Sequence, residues 1–345
     1  MAELHTELIE IDPNALDGTE SALGEDAQSY TTSLKSSILE YKYENGRRYH
    51  AEMRDKSYWL PNDESELDRL DICHHIVLRR CDDKLHLAPL DKAPQRILDI
   101  GTGTGVWAIE AADEYPSSEV IGNDLSPVRP SFVPQNVKFE VDDVEADWLY
   151  SSPFDYIHCR FMAGAIKNWP RLMRQCFANT KPGGWVEFQD FEMRFYTNGG
   201  DFKQGSPLDV WCTELIEGIM SLGMDPEPGP KLKGWVEDAG FVNVTHKLLP
   251  IPTGTWPKDR RLKDVGAFDL IQFLEGLEGL SMRPFTTLRG WKYDKLLVFL
   301  ATIRAELKNP RMRLQHNMEV PTALFLVFDA NWLCRHVVYA QKPFK

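Results

Sequence analysis

The residues with chemistry to offer cluster in one run, "QRILDIGTGTGVWAIEAADEYPSSEVIGNDLSP", Gln95–Pro127. Gly101, Gly103 and Gly105 follow a short apolar stretch and precede a helical pattern, so they form a tight turn that lets a ligand approach the backbone at a helix start. The spacing is G-x-G-x-G, with Val106 where a dinucleotide fingerprint carries its third glycine. Asp99 stands two residues before the first glycine. A pyrophosphate beside that carboxylate is repelled, whereas a ligand bearing positive charge is attracted. Asp124 lies about 20 residues beyond the glycines, where an acid accepts the two hydroxyls of a ribose. In "VDDVEADW" a further acid beside a turn can take an adenine amino group, and position favours Asp143 over Asp142.

These requirements select a nucleoside with free ribose hydroxyls, a cation and a carboxylate for backbone N–H groups. S-adenosylmethionine (SAM) has all of them. The candidate cofactor contacts are Asp99, Gly101, Thr102, Gly103, Gly105, Asp124, Leu125, Asp143, Val144 and Arg160, the last following a strand in "IHCRFMAGAI". A nicotinamide cofactor is disfavoured by the glycine spacing and by Asp99. No catalytic base is identified: His158 falls inside a strand and reads as a core histidine, His246 lies in or near a later strand, and His74 and His75 belong to a segment ahead of the main domain. No metal site is expected, because none of the six cysteines forms a C-x-x-C pair.

The elements that must position these residues alternate. "RILDI", "EVIGND", "VKFEVDDVE", "FDYIHCR" and "WVEFQDFE" read as strands, with helices over "VWAIEAADEYP" and "WPRLMRQCFANTKPGG". "KLKGWVEDAGFVNVTHKLLPI" reads as helix, Gly240 stop and strand, and "CRHVVYAQKP" as a last strand. Such alternation predicts an α/β fold with a parallel sheet and right-handed crossovers. "RLKDVGAFDLIQFLEGLEGL" and "GWKYDKLLVFLATIRAEL" predict two further helices. Upstream, Ser33–Leu87 reads as helical: one helix up to an Asn45-Gly46 stop, then one capped by Asn62 or Asp63 with Glu66 available for a capping box. The expected organisation is a disordered acidic tail over 1–32, a helical cap over 33–90 and a cofactor domain over 91–345, with a helical insertion at about 257–310 and an atypical segment at 311–333.

Composition narrows the partners. Net charge is −13 and no Lys or Arg precedes Lys35, which disfavours nucleic acid. No apolar run approaches the roughly 20 residues of a membrane span, and the N-terminus lacks the basic and apolar regions of a secretory signal. The chain is expected in the cytoplasm, with the nucleus as the alternative, and its cysteines as free buried thiols.

The run resembles the class I SAM-dependent methyltransferases. Asp99-x-Gly101-x-Gly103-x-Gly105 matches their first motif, "GNDLSP" the second, "VDDVE" the third and "LMRQCFANTKPGGWVEFQDF" the strand-five region. "YKYENGRRYH", "LPNDESELDRLDICHH", "KLHLAPL", "RFMAGAIKNWPRLMRQ" and "GPKLKGWVEDAGFVNV" are similar to the fungal LaeA-like methyltransferases, a group that holds enzymes of secondary-metabolite pathways and nuclear regulators of those pathways. The likeness runs from about Tyr30 to Lys308 and resumes at His336–Pro343. It implies a Rossmann-like, seven-stranded sheet with the last strand antiparallel, and helices on both faces. The chain departs from the family near Glu52-Met53 and across "MRLQHNMEVPTALFLVFDANWL", which reads as a true insertion or a retained intron. The implied activity is methyl transfer to a small fungal metabolite, most simply at oxygen. The alternative is a nuclear regulator working with protein partners. Acceptor contacts are expected from the helical head, from 190–205 and from the 260–307 helices, whose aromatic and apolar residues suit a hydrophobic or aromatic acceptor.

Overall fold

The computed structural model describes residues 10, 41–49, 58–90, 93–128, 130–316 and 335–344. The acidic tail other than Glu10, the departure at Glu52-Met53 and positions 317–334 lie outside the described residues.

Two strands, β1 (Lys42–Glu44) and β2 (Arg47–Tyr49), open the described chain and pair antiparallel. Over Lys42–Glu44 this corrects the helix expected up to Asn45-Gly46; the earlier part of that expected helix, 33–40, lies outside the described residues. Both turn residues have positive φ, 51° and 79°, the type I′ geometry that makes Asn-Gly a hairpin signal rather than a helix stop. Helix α1 (Glu64–Arg80) follows, with Asp63 at its N-cap accepting from the Glu66 N–H. The capping box is half made, because the Glu66 carboxylate turns to Arg69 instead, 2.6 Å away.

The main sheet begins with β3 (Arg96–Ile100), α2 (Val106–Glu114), β4 (Glu119–Asp124), β5 (Val137–Val141) and β6 (Phe154–Arg160). It continues with α3 (Trp169–Asn179), β7 (Thr180–Asp190) and, after the short β8 (Phe195–Thr197), helix α4 (Pro207–Met220). Then come α5 (Leu232–Asp238), β9 (Val242–Leu249), β10 (Ile251–Pro252), α6 (Arg260–Arg283), α7 (Tyr293–Leu307), β11 (Leu314–His316) and β12 (Arg335–Gln341). The seven-stranded order is β5-β4-β3-β6-β7-β12-β9. β12 runs antiparallel between β7 and β9, as the resemblance implied. β10, β11 and β8 make a small second sheet absent from the sequence reading, as was α4. Strands this short carry too little periodicity to be distinguished from loop.

Alternation along the strands builds two cores. Leu98, Ile100 and Ile157 pack with Trp169, Leu172 and Val236 of α3 and α5. Ile97, Val120 and Tyr156 pack on the other face with Trp107, Ala108 and Ala111 of α2. A third core joins α4, α6 and α7 through Leu215, Leu277, Phe285 and Leu300. β4 and β6 flank β3 on opposite sides, so the chain reverses its direction of travel across the sheet at β3. Ligand clefts form at the carboxyl ends of strands at such a switch point.

The hairpin is fastened to α1 at one residue. Asp63 caps the helix, accepts from Arg47 at 2.5 and 2.7 Å and accepts from the Arg48 N–H. These bonds hold its carboxyl below the ordinary carboxylate range against the opposing effect of burial. A depressed acid contributes stability that is present above its unfolded pKa and lost as pH falls through the folded one. Asp63→Ala is therefore expected to cost about 2 kcal/mol in urea unfolding at pH 7, with the deficit shrinking below pH 4.

Candidate active site

The glycine loop is held between two carboxylates. Asp99, at the penultimate position of β3, is 3% exposed. Its Oδ2 accepts from the Thr102 hydroxyl at 2.5 Å and its Oδ1 accepts from His158 Nδ1 at 2.7 Å. Asp99 was expected to face a cationic ligand. It lines the cavity, but both oxygens are engaged with protein, so its negative charge acts on a ligand through space. His158 stacks on Trp107 with centroids 3.8 Å apart, and burial pulls its imidazole below the ordinary value despite Asp99. It is a core histidine, as the sequence suggested.

Asp124 ends β4. Its Oδ2 accepts from the Gly103 N–H at 3.0 Å and its Oδ1 from the Ser126 N–H at 2.9 Å. Burial, with help from the charge of Asp99, pushes its carboxyl up to about 6 against those backbone donors. Asn123, which sequence reasoning missed, also grips the loop: its carbonyl accepts from the Thr102 N–H. Gly105 does not line the cavity. Its φ of +82° starts α2, and an added Cβ would lie 2.6 Å from the Phe139 ring. The third glycine therefore has a packing reason of its own, beside the ligand contact expected of it.

The other expected contacts share one cavity of about 930 Å³. Gly101, Thr102, Gly103, Asp124, Leu125, Asp143, Val144 and Arg160 all line it. Asp142 and Asp143 are both exposed at the rim. Asp143 Oδ1 accepts from the Glu145 N–H, and Asp142 also lines the cavity.

Arg160, at the end of β6, is the least compensated charge there. Its Nη2 donates to His74 Nδ1 at 2.7 Å, and its Nη1 is buried with no hydrogen-bond partner among the described residues. A buried cation left in this state favours an anion beside it, and the SAM carboxylate fits that demand. With ribose acceptors at Asp124 and the negative charge of Asp99 behind the loop, the residues present suit SAM.

The cavity continues into an apolar chamber. Tyr58, Trp59, Phe161, Met162, Phe191, Met193, Trp211, Leu215, Phe273 and Leu280 are among its lining. Trp211 and Leu215 come from α4, which sequence reasoning did not place here. α7 supplies no lining residue and instead supports the third core. His246, on β9, and the exposed His75, edge-on to Phe268, do not line the cavity. Three of the lining carboxylates are committed to protein partners: Glu192 to the Tyr196 hydroxyl, Glu66 to Arg69, and Asp269 to Thr253 and Gln272. Among the described residues no group of metal-ligating side chains gathers, and no helix is long and apolar enough to cross a membrane.

Comparison with known proteins agrees with this geometry. Residues 73–246 match a family model described as a methyltransferase domain. The chain is 44% identical over 295 residues to "Methyltransferase pytC" of Aspergillus terreus, covering 85% of this chain and 91% of that protein. It is 33% identical over 287 residues to "Secondary metabolism regulator LAE1" of Cochliobolus heterostrophus, covering 81% and 93%. It is also 33% identical over 293 residues to "Protein-methionine methyltransferase laeA" of Emericella nidulans, covering 83% and 77%.

Ionised Asp124 accepts from ribose hydroxyls more strongly, and with both oxygens, than the protonated acid does. SAM affinity is expected to hold between pH 7 and 8 and to fall below about pH 6, by up to about tenfold per pH unit. Equilibrium dialysis with labelled SAM measures this, and an affinity flat down to pH 5 would remove Asp124 from the contact.

Proposed function

We propose that this chain, which belongs to the SAM-dependent methyltransferases of the LaeA-like group, methylates a small hydrophobic or aromatic fungal metabolite, most simply at oxygen. The observation that carries the reading is the continuity of the cavity. The polar end formed by the glycine loop, Asp124 and Arg160 opens directly into the chamber walled by Trp59, Phe161, Met162, Phe191, Met193 and Trp211. An acceptor held by those side chains faces the strand ends where the cofactor is placed.

Bound SAM supplies a methyl group on a sulfonium, a leaving group that needs little further activation. The protein's part is then proximity and orientation. In this reading Asp124 and the loop backbone fix the nucleoside, Asp143 and Val144 border the adenine, and Arg160 meets the carboxylate. Trp59 in the lining is fixed by its Nε1 donating to the Gly164 carbonyl at 2.9 Å. Of the histidines among the described residues, only His158 lines the cavity, and its Nδ1 is given to Asp99. A phenolic acceptor, acidic in its own right, asks least of such a site.

A second reading is favoured by the names of the 33% identical relatives: a regulator that modifies a protein or acts within a complex. Methyl-labelled SAM incubated with the protein and a fungal extract, split into metabolite and protein fractions, separates the two. Label in the metabolite fraction is expected. Label confined to protein, or none despite tight SAM binding, supports the regulator.

Two sets of variants divide the cavity. Asp124→Ala and Gly103→Val are expected to weaken SAM binding by about tenfold or more. Phe191→Ala and Met193→Ala should leave the SAM Kd within about twofold and raise the acceptor KM roughly tenfold, the cost of losing apolar contact. Unchanged SAM affinity in both members of the first set would overturn the cofactor assignment.

A further inference from the structure

The cofactor reading leaves one interaction unexplained. Arg160 donates to a histidine, although a buried guanidinium ordinarily seeks a carboxylate. The partner, His74, sits on α1 and is itself 4% exposed. On its far side His74 Nε2 lies 3.0 Å from Glu110 Oε2 on α2. Arg160 can only donate, so His74 Nδ1 must accept. The ring proton is then on Nε2 and is donated to Glu110. The chain Arg160–His74–Glu110 thus runs from the cofactor loop to a side chain that is 41% exposed.

The charges around His74 come from three elements. Glu110 of α2 and Asp71 of its own helix favour the imidazolium. Arg160 of β6 opposes it, and burial, the largest influence, opposes it further, so the imidazole is pulled below its ordinary value. A second proton on His74 would set an N–H against the guanidinium and end the bond.

We propose that His74 is a positioning residue of the cofactor site: as a neutral imidazole with its proton on Nε2, it holds Arg160 in the cavity wall with Nη1 left for the carboxylate of SAM. Glu110 fixes the tautomer. α1 thereby takes part in cofactor binding without touching the cofactor, through the helix that also packs along α6 beside the acceptor chamber. This inference rests on the SAM reading above.

The test compares SAM affinity, by equilibrium dialysis between pH 5 and 8, for the full chain and for His74→Asn, His74→Leu, Asp124→Ala and Gly103→Val. Asparagine places its Oδ1 near the position of Nδ1 and can still accept from Arg160, but it does not titrate. At pH 7.5, His74→Leu is expected to lose about tenfold or more in affinity, and His74→Asn to stay within about threefold. Acidification below about pH 6 should weaken binding in both chains through Asp124, and the natural chain should never be less steep in pH than His74→Asn, which has no imidazole to protonate. Circular dichroism and Tm report whether each variant is folded. Equal loss in both His74 variants, or natural affinity in His74→Leu, would overturn the proposal. Natural affinity in both Asp124→Ala and Gly103→Val would instead overturn the SAM site itself.

Discussion

The site depends on a five-residue loop held between carboxylates at the ends of two adjacent strands. Asp99 on β3 accepts from Thr102 and Asp124 on β4 accepts from Gly103. β3 and β4 are paired in register, with Asp99 opposite Gly122, so the separation of the two anchors is set by the sheet and not by the loop. Gly122 matters for the same reason, since a Cβ there would meet both Phe139 and the Thr102 hydroxyl at 2.9 Å. The arrangement serves two ends with the same atoms. Carboxylates that satisfy the loop's N–H and O–H groups also make its surroundings negative, and a cationic cofactor benefits from both. The cost is the desolvation recorded in the raised pKa of Asp124.

A second constraint comes from the segment that precedes the main domain. Asn62 Nδ2 donates to the Ser126 hydroxyl, while the Ser126 N–H donates to Asp124. Arg48 reaches the Asn62 carbonyl at 2.5 Å and Asp63 takes Arg47. The hairpin, the start of α1 and the loop after β4 therefore form one bonded unit over the cavity. On its other side Arg283 of α6 pairs with Glu44 at 2.9 Å and lies over the Tyr49 ring. The cofactor end and the acceptor end are joined by this roof as well as by the sheet beneath.

Much of the fold was legible because its signals are local. The strand over Phe154–Arg160 and the helix capped at Asp63 follow from runs of apolar residues and from capping chemistry. The site was legible in its loop and in Asp124, whose spacing from the glycines follows from one helix and one strand. What misled was equally physical. Asn45-Gly46 terminates a helix and turns a hairpin with the same backbone preference, and the flanking strands have only three residues each. Gly105 has a glycine's positive φ and no room for a Cβ beside Phe139, a packing demand that no pattern in one dimension shows.

The sequence by itself determined the alternation of strands and helices and the identity of the loop and the acids that flank it. Those are properties of neighbours in the chain. Only the tertiary structure decided what each acid is bonded to, that Arg160 turns to His74, 86 residues away, and that α4 lines the apolar part of the cavity. These outcomes depend on which side chains the sheet and the helical layer bring within hydrogen-bond or van der Waals distance. That choice is made by burial and register across the whole core, which no local spacing encodes.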